Sequence, residues 1–365
     1  MKEYNWRKER EKYQALPDKN EQPAAPAPQP GSGLKKTGLL SMLLTVATLV
    51  AIVSWLVVHY TIGDSLAQLS AAAAKHEAAV GLVSVTFNIP QGKKVVVPVG
   101  TAWAFAPDKF ATNAHVVSAI KGLYKSQIRA AAVELLSLQA IKENYTSLDA
   151  FCQSKGTERA QELLRQAEKE IAAAVSPVKV RITINGTSKS YDVVKWGIHP
   201  DYNEREYNYN PDVAVLTIAG QHTTTFKIAS PKKLHELKRG CPIAFLGFPM
   251  ENLDNNNINL DKPAATMQSG IISNVTDFNL SEQKDPAANV FIRHNLPATG
   301  GASGSPIFTK DGKVVAMLYG GNVIYKKESG ERTPSAAQIN FAVRIDLLHA
   351  VKDAADINTL FELGK

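Results

Sequence analysis

Residues 94–117 read KVVVPVGTAWAFAPDKFATNAHVV. A run of β-branched and aromatic residues, with a strand-like segment opening at Gly100-Thr101-Ala102, leads to a polar turn and then to a single histidine, His115, ahead of a second apolar run. The same texture continues outward in both directions. Short runs recur as GLVSVTF (81–87), VKVRITI (178–184), SYDVVKW (190–196), DVAVLTI (212–218) and PIAFLGF (242–248). Beyond them come SGIISNV (269–275), NVFIRH (289–294), KVVAMLY (313–319) and INFAV (339–343). Runs of this length, bounded by Gly, Asn, Asp or Pro, predict antiparallel β barrels or sandwiches. Two turns are marked outright, Asn185-Gly186 and Asp311-Gly312, because such pairs tolerate the positive φ angles that tight hairpins need.

One block departs from the strand pattern. Ser126–Val175 is rich in Ala, Leu, Glu, Gln and Lys with helical periodicity, so an insertion of helices is expected over about 122–176. Thr146-x-x-Asp149 is the expected start of one helix, and Lys155-Gly156 the expected break between two. A last helix is expected over Asp346–Leu363, within a C-terminal segment 346–365.

Before the strands the chain has another character. Leu39–Val58 reads LLSMLLTVATLVAIVSWLVV, with no charge, Pro or Gly. Twenty helical residues rise about 30 Å, the thickness of a bilayer's hydrocarbon. Trp55 and Tyr60 sit near one end, where aromatic rings favour the interface. Residues 1–38 hold eight Lys/Arg against five Asp/Glu and include the Pro/Ala-rich AAPAPQPGSG (24–33). The positive-inside bias therefore predicts a transmembrane signal-anchor at 39–60 with a disordered cytoplasmic tail and everything after it outside the cytoplasm. Residues 61–78 are expected to be a helical or flexible spacer, followed by a folded domain over 79–345.

Composition narrows the function classes. With 44% hydrophobic and 21% charged residues the chain is neither disordered throughout, nor collagenous, nor a coiled coil. Cys152 and Cys241, its two cysteines, build neither a disulfide scaffold nor a Cys₂His₂ or Cys₄ zinc site, and a disulfide between them stays open. A net charge of +7 admits anionic partners, but no basic-aromatic stripe or recognition helix accompanies it, so nucleic acid is not an expected partner. Its basic tail suits the anionic inner leaflet better.

Three segments carry chemistry. GGASGSP (Gly300–Pro306) puts Ser303 in a glycine-flanked turn, which exposes a hydroxyl and lets backbone N–H groups converge on a developing oxyanion. ATNAHVV (111–117) supplies His115. HPDYNEREYNYNPDVAVLTI (199–218) places Asp212 at the mouth of an apolar strand, where a carboxylate can accept an imidazole Nδ1–H.

The order His115, Asp212, Ser303 in these contexts resembles the chymotrypsin-fold (trypsin-like) serine peptidases. TNAHVV resembles their T-x-x-H-V/C box, HPDY with NPDVAVL their H-P-x-Y and D-I-A-L segment, and GASGSP their G-D/N-S-G-G/S-P. GCPIAFLGFP (240–249), SGIISNV and INFAV are similar to the HtrA/Deg-like branch. The resemblance implies two antiparallel six-stranded β-barrels with the helical insertion in the first. It also implies a catalytic triad of Ser303, His115 and Asp212, an oxyanion hole from the Gly301 and Ser303 N–H groups, and no cofactor or metal. Ser305 is the rival nucleophile. The substrate pocket would be formed by Ala298, Thr299, Leu318, Tyr319 and Gly320. None of these is acidic, so cleavage after aliphatic or small residues is expected. Ala302 stands where relatives carry Asp or Asn, which argues against activation by a freshly cut N-terminus. The PDZ domain usual in the HtrA branch is not expected in the short stretch after Val343, and His294 is expected at the surface or a pocket rim. The expected function is a membrane-tethered endopeptidase of envelope proteins, single-pass in a bacterial inner membrane and trimeric by family resemblance. The alternative is an inactive or latent scaffold that binds partners through the insertion.

Overall fold

The computed structural model describes the backbone of residues 34–89, 93–175, 178–204, 210–250, 259–321, 323–325, 332–334, 339–352 and 355–361. The chain divides into two compact units at His59 and Tyr60. The first unit is described as the N-terminal part of helix α1 (Leu34–His76). Within it Val46, Leu49, Val50, Ile52 and Val53 are at least half exposed. Among the described residues no helix is long and apolar enough to cross a membrane. Of the expected disordered tail at 1–38, residues 1–33 lie outside the described residues, and so do most side chains of the expected span at 39–60.

In the second unit, alternating side chains build two closed barrels. β1 (Val80–Ile89) pairs antiparallel with β2 (Lys93–Ala106) and β4 (Lys179–Ile184). From β2 the sheet runs through β3 (Lys109–Thr112) to β6 (Ala214–Ile218), and from β4 to β5 (Ser190–Ile198). Pairing of β5 with β6 closes this first six-stranded barrel. A two-residue strand, β7 (Lys227–Ile228), and a single-turn helix, α5 (Pro231–His235), lead to the second barrel. That barrel runs β8 (Pro242–Gly247), β9 (Thr266–Thr276), β10 (Phe291–His294), β15 (Asn340–Arg344), β12 (Lys313–Gly321) and β11 (Pro306–Phe308). β11 returns to β8 and closes it, and β7 adds a parallel edge to β12. A small hairpin, β13 (Val323–Tyr325) with β14 (Arg332–Pro334), lies beside the second barrel in sequence. Both marked turns fall where a hairpin bends, between β4 and β5 and between β11 and β12.

Period-two alternation explains where the core sits. Val83, Val85, Phe87, Ala102 and Ala104 fill the first barrel, while Leu82, Trp103, Ala111, Val213 and Val215 belong to the cluster that fills the second. The outward faces of β1, β2, β3 and β6 thus seal the two barrels together. Each fully buried Phe or Leu among them contributes roughly 1.5–3 kcal/mol by leaving water.

The helical insertion begins earlier than expected. Helix α2 (Ala114–Lys142) starts at the residue before His115 and continues without a break. Its buried residues Ile120, Tyr124, Ile128, Ala132, Leu136 and Ala140 recur every four positions, and the first of them join the first barrel's core. α3 (Leu148–Lys155) opens at Ser147, whose hydroxyl accepts from the Ala150 N–H, one residue beyond the expected Thr146. α4 (Thr157–Ala174) follows the break at Gly156 and lays Ala167 and Ile171 on α2's cluster.

The two ends of the domain are built differently. The spacer 61–78 is helical to His76, and Leu69, Ala72 and Ala73 are buried in the second barrel's cluster, so it is docked rather than flexible. The expected closing helix over Asp346–Leu363 is instead two 3-10 segments, Ile345–Ala350 and Ile357–Phe361, separated by strand β16 (Ala355–Asp356) on β5. An extended Val351 breaks the helical path. Gly197 admits the neighbouring chain, since a Cβ there would lie 2.3 Å from Lys352 O. Asp356 then caps the second turn by accepting from the Asn358 N–H at 2.9 Å.

Candidate active site

His115 is the second residue of α2, so its backbone N–H is one of the donors that a helix start leaves without an internal partner. Asp212 supplies the acceptor. Its Oδ1 accepts from the His115 N–H at 2.8 Å, and its Oδ2 pairs with His115 Nδ1. The same carboxylate therefore caps the helix, where an anion is favoured, and fixes the ring. Asp212 is itself held: it is fully buried, and Asn113 Nδ2 donates to its backbone carbonyl at 2.8 Å. Burial pulls the His115 imidazole down, but the charge and hydrogen bond of Asp212 outweigh it, and its pKa stands above the ordinary histidine value. Its side chain is 38% exposed, so one side stays open to a reactant. The edge of Tyr319 meets it, with centroids 6.2 Å apart and planes at 86°.

Ser303 lies in the turn between β10 and β11, and that turn is fixed through its carbonyls. The Met250 N–H donates to Gly300 O (2.7 Å), Thr101 Oγ1 to Gly301 O (2.9 Å), the Ser305 N–H to Ala302 O (3.0 Å) and the Thr101 N–H to Ser303 O (2.9 Å). Three of the five amides from 301 to 305 are engaged as well. Ala302 donates to Thr299 O, Gly304 to Leu318 O and Ser305 to Ala302 O. Among the described residues, the Gly301 and Ser303 N–H groups donate to no carbonyl. In a trans peptide the N–H points opposite to the C=O, so anchoring the carbonyls of Gly300 and Ala302 turns these two N–H groups the other way. Gly301 has φ +83, and a Cβ there would lie 2.3 Å from Met250 Cε and 2.6 Å from Phe248 O. A side chain is thus barred on both counts.

The histidine and the serine turn meet across Gly100. A Cβ at that position would lie 2.9 Å from Val116 Cγ2 and 3.2 Å from Ser303 O. No hydrogen bond joins Ser303 Oγ to the imidazole, whose ring bond goes to Asp212; catalytic contacts of this kind commonly tighten only as substrate binds. Ser305 is a poor rival. It is fully buried with Oγ unpartnered, packed against Gly247, where an added Cβ would fall 1.8 Å from that oxygen.

Of the expected pocket residues, Tyr319 reaches His115, and Ala298 and Thr299 lie just before the turn. Gly320 faces open space. Leu318 does otherwise: its side chain is fully buried in the barrel core, and its backbone holds Gly304 and Ser305. His294 is not at a surface or rim. It is fully buried, its Nδ1 accepts from the Leu296 N–H at 3.2 Å, and burial, partly offset by the Phe341 backbone, lowers its pKa to about 4. It is neutral at any ordinary pH. Cys152 and Cys241 are half-buried free thiols. Two residues escaped the motif reading, Thr101 and Met250. The one available signal was Thr101 as the single hydroxylic residue within the strand segment KVVVPVGTAWAF.

The family model for the trypsin-like peptidase domain matches residues 100–317. Among solved structures, the HtrA-type protease AlgW with a decapeptide is 14% identical, the match covering 81% of this chain and 68% of that one at a TM-score of 0.43. The active form of the Rv3671c protease from M. tuberculosis is 14% identical, covering 78% of this chain and 85% of that one at a TM-score of 0.39. No curated protein matches in sequence.

Proposed function

This chain belongs to the trypsin-like peptidase domain family, and on that premise we propose that it is a serine endopeptidase in which Ser303, His115 and Asp212 form the catalytic triad. The observation that carries the reading is the serine turn: all its carbonyls from 300 to 303 are engaged, and two amides are left for an oxyanion beside the His115–Asp212 pair. With Nδ1 held by Asp212, Nε2 is the nitrogen left to take a proton. Ser303 Oγ attacks the peptide carbonyl while Nε2 removes its proton, and the oxyanion rests on the Gly301 and Ser303 N–H groups. His115 then protonates the leaving amine. Water, deprotonated by the same nitrogen, releases the acyl group and restores Ser303. Asp212 stabilises the imidazolium.

Substrates are proteins or peptides with an aliphatic or small residue at the cleavage site, because Ala298, Thr299, Tyr319 and Gly320 bring no charge to the pocket. Leu39–Tyr60 tethers the domain to a membrane, an assignment supported by the uncharged sequence and by the five half-exposed aliphatics at 46–53. The basic tail orients the N-terminus to the cytoplasm, which puts the peptidase in a bacterial periplasm in the manner of HtrA-like enzymes, with a trimer as the assembly to test first.

Labelling with a fluorophosphonate probe tests the activity. Wild type should be labelled and Ser303→Ala should not. A folded wild type that never reacts would favour the scaffold reading. Removing residues 1–60 should move the chain from the membrane pellet to the supernatant, and a truncated protein that still pellets would refute the tether.

A further inference from the structure

Thr101 is a fully buried residue of β2, in the barrel that carries His115, yet its polar atoms are spent on the other barrel's serine turn. Its N–H donates to Ser303 O at 2.9 Å, and its hydroxyl donates to Gly301 O at 2.9 Å. The same hydroxyl accepts from the Phe248 N–H at 3.1 Å. Thr112, three residues before His115, donates its own hydroxyl to Thr101 O at 2.8 Å. One residue therefore links the histidine's barrel, the serine turn and the segment Phe248–Met250, and every link is a hydrogen bond of ordinary length.

We infer that Thr101 is a positioning residue whose hydroxyl holds the Gly301 peptide so that the oxyanion-binding amides on either side of it are set before substrate arrives. The inference rests on the proposed peptidase mechanism and names what keeps that site in its working form. The argument is one of satisfaction. Of the four donors that engage carbonyls 300–303, three are backbone amides, which no substitution short of proline removes. Thr101 Oγ1 is the only side-chain donor among them. Without it, Gly301 O and the Phe248 N–H would both be buried without a partner, and such groups turn toward any available one. The Gly301–Ala302 peptide that carries this oxygen sits between the two peptides that carry the hole amides, so its rotation disturbs both. Ala302, buried where a relative's acid would anchor a new N-terminus, has no charge to do this work. The first barrel supplies the anchor instead.

The test compares Thr101→Val, Thr101→Ser and wild type with a fluorophosphonate probe, resolving probe affinity from the rate constant for labelling Ser303. Valine keeps the shape of threonine and its strand preference but removes the donor. It should slow the labelling rate constant at least tenfold with probe affinity within about twofold of wild type. Serine restores the hydroxyl and should bring the rate back to within a fewfold. Melting temperatures, measured in parallel, confine the comparison to folded protein. Equal rate constants for folded Thr101→Val and wild type would overturn the inference, and so would a serine variant as slow as the valine one. A wild type that does not react at all would refute the peptidase reading itself, a separate outcome.

Discussion

The two halves of the candidate site are held in different ways. On the histidine side, one carboxylate does almost everything: Asp212 caps α2, pairs with Nδ1 and is locked by Asn113. On the serine side no comparable side chain exists, and four donors from three segments hold four backbone carbonyls. A pair of side chains can be deleted by one substitution. A backbone lattice yields only where a glycine is filled or where its one side-chain donor is removed. The site is thus fragile at single named atoms on one side and at backbone geometry on the other.

The sharpest way to break this comparison is at the nucleophile. Ser303→Ala should lower kcat by about 10⁶, because triad members act as a unit. Ser305→Ala, at a buried and unpartnered hydroxyl, should leave kcat within a fewfold of wild type. Steady-state hydrolysis of an aliphatic peptide ester measures both. If Ser305→Ala is the dead variant, the nucleophile is misassigned.

On the histidine side, Asp212→Asn should cost about 10⁴ in kcat while leaving the protein folded, since an amide nitrogen facing the ring favours the wrong tautomer. On the serine side, Gly301→Ala should cost about 10²–10³ in kcat with KM little changed. The added methyl meets Met250 and Phe248 O and must displace the peptide. The comparison predicts that the side-chain half loses more to one substitution than the backbone half. Similar losses from both would show that the two halves do not divide the labour this way.

A pH profile sharpens the histidine half further. The base must be neutral to act, and Asp212 raises the His115 pKa above its ordinary 6.5 against the opposing effect of burial. The acid limb of kcat/KM for the wild type should therefore lie above pH 6.5, and in residual Asp212→Asn activity it should move down. The sign for stability follows from the same coupling. A raised folded pKa stabilises the fold fully below the unfolded histidine's value, and this stabilisation fades as pH climbs through the folded one. A wild-type limb below the ordinary value would mean that burial, not Asp212, governs the ring.

This contrast also explains what could be read from the sequence. Side-chain chemistry is written in residue types, so His115, Asp212 and Ser303 stood out from their neighbours, and short apolar runs bounded by turn residues, such as VKVRITI and PIAFLGF, marked β4 and β8. Backbone contacts leave little trace. Nothing in Met250 announces that its N–H grips Gly300 O, and β11 is three residues long, too short for a period to show. The insertion's boundary was misplaced for a related reason. Ala114–Leu123 reads equally well as the close of a strand motif or the start of a helix, and only the four-residue spacing of burial from Ile120 to Ala140 settles it. The closing segment failed differently. Helix propensity was real, but a tertiary contact at Gly197 and strand pairing of β16 overrode it.

The smallest expected effect lies in the insertion, where a second kind of glycine can be set against Gly301. Gly156 joins α3 to α4 at φ 81 and ψ 154, a region that residues with a Cβ essentially avoid, yet a Cβ there would meet nothing within 4 Å. Gly156→Ala should therefore strain the junction without a clash, lowering stability by about 1–3 kcal/mol. That strain should appear in the melting temperature alone, since α2's first turns, which carry His115, are themselves buried in the barrel core. Activity per folded molecule should match wild type. A fall in kcat beyond the loss of folded protein would show that the insertion's hinge reaches the imidazole through α2. The histidine half would then depend on a lever as well as on Asp212.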